Sequence, residues 1–348
     1  MNDLHFGVCV GIDRYPGFPG RDLGSARGDA ESFAGWLLAP DGGGLPPDNV
    51  ALVTASPEEI WRQAGDARPQ YREIYRGLHG FNKRLRSYLD AQPADRSRSR
   101  LYIYAAGHGI GPPDGECALL MADAEEGLIG DNLELSVYRE WYLTCGDFAE
   151  LVIFADCCRE LAPGAPPANR PPFDLCTNPQ TRTTAFTGYA TRMGDPAWEP
   201  GDMGERDRAR GYFTRAVLRG LRGGPVDPAL GAVTSTTLAQ YVEQAVAQLT
   251  RGLFPPQRAE TIAPENPILF GMTAPPASHH ARIRFPKAFT GRVALQTGRS
   301  EEVARWQAAD GPWSIELPDG YYAVVPVDGP DPGDWLFKVV GDDVDVEL

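Results

Sequence analysis

The chain has 348 residues, enough for one sizeable α/β domain and a smaller unit, and its 42% apolar content supports a packed core. A net charge of −14 argues against nucleic-acid binding, which needs a basic stripe to neutralise phosphates. No stretch is long and apolar enough to span a bilayer, and the N-terminus lacks a basic segment followed by an apolar one, so no membrane partner and a cytoplasmic location are expected.

In chain order, residues 4–12 read as a first strand, 25–38 as a helix and 49–54 as a short second strand. Tyr71, Ile74, Tyr75, Leu78, Phe81, Leu85, Tyr88 and Leu89 recur at helical spacing, which predicts an amphipathic helix over about 70–90; His79 inside it is structural or solvated. The run from Leu101 to Ala106 leads into Gly107-His108-Gly109, and the run from Leu151 to Ala155 into Asp156-Cys157-Cys158. Runs this rich in β-branched and aromatic residues predict strands buried on both faces. Between them, 117–121 and 128–129 predict a small hairpin and 136–145 a helix. Residues 183–190 read as a fifth strand, 237–250 as a helix opened by a capping box of Thr237 and Gln240, and 267–271 as a sixth strand. Strands alternating with helices predict an α/β fold, with a mostly parallel six-stranded sheet covered on both sides.

After a linker around residues 274–280 the pattern changes to strands alone. The segments 282–285, 292–296, 313–317, 321–327, 335–340 and 344–348 are separated by Gly, Pro and Asp turns and predict a small β-sandwich. The expected domains are 1–273 and 281–348, the second being either a lid on the first or a docking module. His279 and His280 have no further ligand at suitable spacing and read as linker, not as a metal site.

His108 and the cysteines are the reactive groups that strand ends would bring together. In open α/β sheets, sites form at the carboxyl ends of the strands, where both would sit. A cysteine is a useful nucleophile as the thiolate, and a nearby imidazole takes its proton and later returns one to the leaving amine. Gly109, lacking a Cβ, and the cysteine's own N–H are natural oxyanion donors. Side chains alternate along a strand, so Asp156 and Cys158 point one way and Cys157 the other. Six cysteines, at positions 9, 117, 145, 157, 158 and 176, include no Cys-x-x-Cys pair; no zinc site is expected, and reduced thiols are the default. A phosphatase loop, a hydrolase nucleophile elbow and a Gly-rich phosphate loop are all missing.

Strand-His-Gly followed by strand-Asp-x-Cys resembles the signature of the caspase-like cysteine peptidases, the clan of caspases, metacaspases and bacterial relatives. The resemblance extends to Phe6-Gly-Val-Cys-Val-Gly-Ile-Asp-Arg-Tyr15-Pro, to Ser25-Ala-Arg-Gly-Asp29-Ala, and to the later segments 211–223 and 233–242, covering roughly residues 4–271. It implies a three-layer αβα sandwich and a cysteine endopeptidase with His108 and Cys158 as its dyad, passing through a thioester acyl-enzyme. The metacaspase pattern places the nucleophile two residues after the aspartate, which selects Cys158 over Cys157. Asp156, with Asp29 from the segment that resembles the family's "NDA" motif, would form an acidic S1 slot, favouring arginine at P1 and lysine second. As a first-turn helix residue, Asp29 has the macrodipole as an alternative explanation. Ala106 stands where metacaspases often have a serine, and Arg159-Glu160 follows Cys158 where His-Ser-Gly is usual.

The family also implies that loops like 160–180 and 192–210 line the groove or are cut on maturation; otherwise they are tolerated surface insertions. Partners would be protein substrates with Arg or Lys at the cleavage site and a regulatory or activating protein, with no cofactor; calcium activation, known in some metacaspases, is not indicated. A bacterial defence or cell-death pathway is implied by resemblance alone. The rival reading is a catalytically silent caspase-like interaction scaffold.

Overall fold

The computed structural model describes residues 2–55, 58–112, 116–129, 131–161, 182–195, 197–198, 211–227, 230–272, 278–286, 289–297, 302–318, 320–328, 335–339 and 343–348. The chain divides into two compact units, Met1–Met272 and Thr273–Leu348.

In the first unit the chain runs through β1 (His5–Gly11), α1 (Ala26–Leu38), β2 (Val50–Thr54), α2 (Tyr71–Leu89), β3 (Arg100–Ala106), β4 (Gly109–Gly111), β5 (Ala118–Leu120) and β6 (Asn132–Glu134). It continues with α3 (Leu135–Cys145), β7 (Glu150–Asp156), β8 (Glu160–Leu161), β9 (Thr184–Tyr189), α4 (Tyr212–Leu221), β10 (Val226–Asp227), β11 (Ala232–Thr234), α5 (Ser235–Leu249), β12 (Glu260–Ile262) and β13 (Leu269–Met272). The main sheet has the order β12-β9-β7-β3-β1-β2. Neighbours from β9 to β2 pair in parallel, and β12 closes the edge antiparallel to β9.

Strand parity sorts the core into two layers. Phe6, Val8, Val10, Leu101, Ile103, Leu151 and Ile153 pack with Ile74, Leu78 and Leu85 of α2 and Tyr138 and Tyr142 of α3. The alternate residues Cys9, Tyr102, Tyr104, Val152 and Phe154 pack with Phe33 and Leu37 of α1, Phe213 and Val217 of α4, and Leu238 and Val242 of α5. The sheet therefore lies between two helical layers, as the alternation predicted.

Several local expectations are corrected. The sixth strand is Glu260–Ile262, whereas Leu269–Met272 joins β10 and β11 in a separate three-stranded sheet. Strand β5 pairs with β4 and β6, while Leu128 makes an isolated bridge with Glu125. The cap of α5 lies one turn earlier than expected: Thr237 N donates to Thr234 Oγ1 and Thr234 N to Thr237 Oγ1, each at 3.1 Å. Cys145 is disulfide-bonded, so the thiols are not all reduced. Residues 162–181 and 199–210, which hold most of the two presumed specificity loops, lie outside the described residues.

The second unit comprises β14 (Ser278–Arg284), β15 (Arg292–Thr297), β16 (Glu302–Gln307), β17 (Trp313–Pro318), β18 (Gly320–Pro326), β19 (Trp335–Val339) and β20 (Val344–Glu347). They form the sheets β17-β14-β20 and β16-β15-β18-β19 around a core that includes Ile283, Val293, Leu295, Trp313 and Val324. Strand β16 was not expected, because Glu302 and Arg305 hide its alternation.

Candidate active site

His108 and Cys158 are brought together by matched register. Ala106 on β3 pairs with Asp156 on β7, and beyond the two reactive residues Ile110 on β4 pairs with Glu160 on β8. Each reactive residue thus sits two positions past one paired rung and two before the next. Gly109 packs tightly against the segment of the two cysteines: a Cβ there would come 2.5 Å from the carbonyl oxygen of Cys158 and 2.7 Å from Cys157 Sγ.

His108, Cys158, Asp29 and Asp156 line one cavity of about 100 Å³, along with Ala197 and Gly211. Drug-sized ligand pockets run to roughly 300–1,000 Å³, so this cavity suits one side chain and not a whole ligand. Larger cavities of about 240 and 400 Å³ lie elsewhere: one beside Arg14 and Arg27, the other at the amino ends of the strands by Asn2 and Arg98. Gly109 does not line the 100 Å³ cavity, though Gly107 does.

The imidazole is held by the backbone. His108 Nε2 is 2.5 Å from the carbonyl oxygen of Arg21, which can only accept, so Nε2 carries the proton and Nδ1 is the basic nitrogen. Cys158 Sγ accepts from Ala197 N at 3.0 Å and lies 3.9 Å from the oxygen of the same residue. Among the described residues, thiol and imidazole share the cavity without a hydrogen bond between them. Burial pushes the Cys158 thiol above its ordinary value, and the Ala197 N–H works against that shift.

The neighbouring thiol has a different setting. Cys157 is buried, with Sγ 3.3 Å from Cys117 Sγ. Its hydrogen bond with Cys117, followed by burial, raises it well above the ordinary thiol value. Of the two thiols, Cys158 is the more exposed.

Both carboxylates of the expected slot also anchor the start of α4. Asp29 is buried in the first turn of α1 and accepts Gly211 N at 3.0 and 3.2 Å. Asp156 Oδ2 accepts Thr214 N at 3.1 Å and Thr214 Oγ1 at 2.5 Å. Gly211 is wedged between them, since a Cβ there would lie 2.5 Å from Asp156 Oδ2 and 3.1 Å from Asp29 Oδ2. The two acids therefore meet the positive end of a helix and line the cavity at once.

On the far side of Cys158, the buried Arg159 donates to the carbonyls of Glu116 and Thr191 at 2.7 and 3.0 Å, stacks at 4.1 Å over the ring of Tyr189 and pairs with Glu260 on β12. Trp198 is tied by its backbone N to Gln257 Oε1 and by Nε1 to the carbonyl of Pro255, both at 2.9 Å. Sequence reasoning missed the parts played by Arg21, Ala197 and Gly211 because each acts through its backbone, which no side-chain pattern announces.

No family model matches the chain. It is 27% identical over 237 residues to a protein of a Desulfuromonadales bacterium described as a probable protease; the match covers 63% of this chain and 26% of that protein, so the chain spans about a quarter of that relative. Among solved structures it is similar to caspase-1 from Spodoptera frugiperda, at a TM-score of 0.45 and 12% identity over 78% of this chain and 90% of that one. It is also similar to a Geobacter sulfurreducens protein, at a TM-score of 0.39 and 14% identity over 74% and 92% of the two chains.

Proposed function

We propose that the chain is a caspase-like cysteine endopeptidase that cleaves after arginine, and after lysine less well, with Cys158 as nucleophile and His108 as general base and acid. The observation that carries this reading is the convergence of His108, Cys158, Asp29 and Asp156 on one cavity at the carboxyl ends of β3 and β7. The relative described as a probable protease supports it.

In this reading the Cys158 proton passes to Nδ1 of His108, whose ring is held by the Arg21 carbonyl at Nε2. The thiolate attacks the scissile carbonyl, and the N–H groups of Cys158 and Gly109 receive the oxyanion. The imidazolium then protonates the leaving amine, and a water deprotonated by His108 hydrolyses the thioester. An ionised carboxylate has about four acceptor sites. Asp29 and Asp156 would take a P1 guanidinium beside the N-terminal N–H groups of α4 that they already bind.

Fluorogenic peptides with Arg, Lys or Asp at P1 test the proposal on wild type and on Cys158→Ala, Cys157→Ala and Asp156→Asn. Arg-P1 turnover should exceed Lys-P1, and Cys158→Ala should lower it at least about 10³-fold, while Cys157→Ala stays close to wild type. Asp156→Asn should raise KM for Arg-P1 by about 10- to 100-fold, the worth of one charge-assisted contact. Cleavage of Asp-P1 in preference would overturn the slot, and no turnover of any peptide would leave the scaffold reading in its place.

A further inference from the structure

We infer that Tyr15 is the positioning residue of His108, the group that holds the imidazole in its working place from behind. Tyr15 is fully buried in the segment after β1. Its hydroxyl accepts His108 N at 2.9 Å and donates to the carbonyl of Leu120 at 3.2 Å, so both its donor and its acceptor capacity are engaged. Its ring lies against the imidazole, with centroids 4.7 Å apart and planes tilted by 53°. Gly107 leaves room for this contact, because a Cβ there would come 2.5 Å from the phenol oxygen.

The same segment supplies the second restraint on His108. Phe18 N donates to the Tyr15 carbonyl at 2.8 Å, Tyr15 N to Asp22 Oδ1 at 3.0 Å, and Leu23 N to the Asp13 carbonyl at 2.7 Å. Residues 13–23 thus close on themselves, and one closed segment carries both the Tyr15 ring against one face of His108 and the Arg21 carbonyl against Nε2. Moving either contact moves the other. Leu120 N returns a hydrogen bond to the His108 carbonyl at 2.9 Å, so His108, Tyr15 and Leu120 form one small network. Such networks bind their members more tightly than single contacts do. Burial also keeps the phenol neutral, well above the ordinary tyrosine range.

For its effect on turnover this rests on the peptidase reading; its effect on thiol reactivity does not. The decisive experiment is a double-mutant cycle of Tyr15→Phe and His108→Ala in the full chain, read two ways. The first readout is alkylation of Cys158 by iodoacetamide between pH 6 and 9, followed on the Cys158 peptide by mass spectrometry. The second is kcat and KM on an Arg-P1 peptide. Tyr15→Phe keeps the ring and removes only the hydroxyl contacts.

A misplacement of about 1 Å at a reacting group can cost on the order of 100-fold, so Tyr15→Phe should lower kcat by about 10- to 100-fold with KM within about 2-fold. It should also slow neutral-pH alkylation, and that slowing should vanish once His108 is Ala. Asp22→Ala, at an exposed position that holds the Tyr15 amide, should act in the same direction and serves if Tyr15→Phe fails to fold. Equal slowing with and without His108 would overturn the inference, as would a Tyr15→Phe protein with wild-type kcat and alkylation profile. A wild type that turns over no peptide would sink the peptidase reading alone, since the alkylation cycle still reports the coupling.

Discussion

At the start of β1, His5 sits at the opposite end of the sheet from His108 and makes the fold sensitive to acid. Burial, and after it the Arg100 guanidinium, lowers His5 to about 3. An unfolded histidine titrates near 6.5. The folded state therefore prefers the neutral ring, and proton uptake favours the unfolded chain wherever pH lies between these two values. Stability attributable to His5 is intact above about pH 6.5, falls as pH drops towards about 3, and at pH 5 is reduced by about 2 kcal/mol. His5→Gln should flatten the loss of stability between pH 7 and pH 5 by that amount in urea unfolding; an unchanged pH slope would refute it. At the same scale, strand parity put Cys157 and Cys158 on opposite faces in the sequence, and the structure gives them different surroundings: Cys157 against Cys117, Cys158 beside Ala197.

Beside the apolar cores, a few partly buried ion pairs tie elements together. Arg86, in the last turn of α2, makes a two-pronged contact with Asp147 at 3.0 and 2.7 Å, tying α2 to the connection between α3 and β7. The Asp147 side chain is 1% exposed. Removing the guanidinium leaves that carboxylate buried without its main counter-charge. Arg86→Leu is expected to destabilise the first unit by about 2–4 kcal/mol, seen as a lower urea midpoint at an unchanged slope. The helices α2 and α5 were legible because each shows an apolar stripe. The edge strand β12 was not, since Glu260 and Thr261 carry no apolar run; β12 is held from outside, by Arg159 and by Glu243, whose Oε1 accepts Thr261 N at 3.1 Å. Leu269–Met272 carries the apolar run that a core strand would show, and spends it on a different sheet.

Each of the two units encloses its own apolar core. Every residue lining the His108–Cys158 cavity belongs to the first. A chain ending at Met272 is therefore expected to keep the wild-type kcat on short Arg-P1 peptides; a loss of more than about 10-fold would assign the second unit a part in assembling the site. Among the described residues no helix is long and apolar enough to cross a membrane. The net charge of −14 coexists with an arginine buried beside the nucleophile, which is tolerated because Glu260, Tyr189 and two carbonyls surround it.

The alternation of strands and helices, the residues that end β3 and β7, and the change to an all-β tail are written in the sequence, because periodicity and side-chain chemistry are local. Which strand closes the sheet, that Gly211 sits between Asp29 and Asp156, and that the carbonyl of Arg21 meets the imidazole were decided only by tertiary structure. Each of those contacts engages a backbone group with a partner far along the chain, and every residue carries the same backbone.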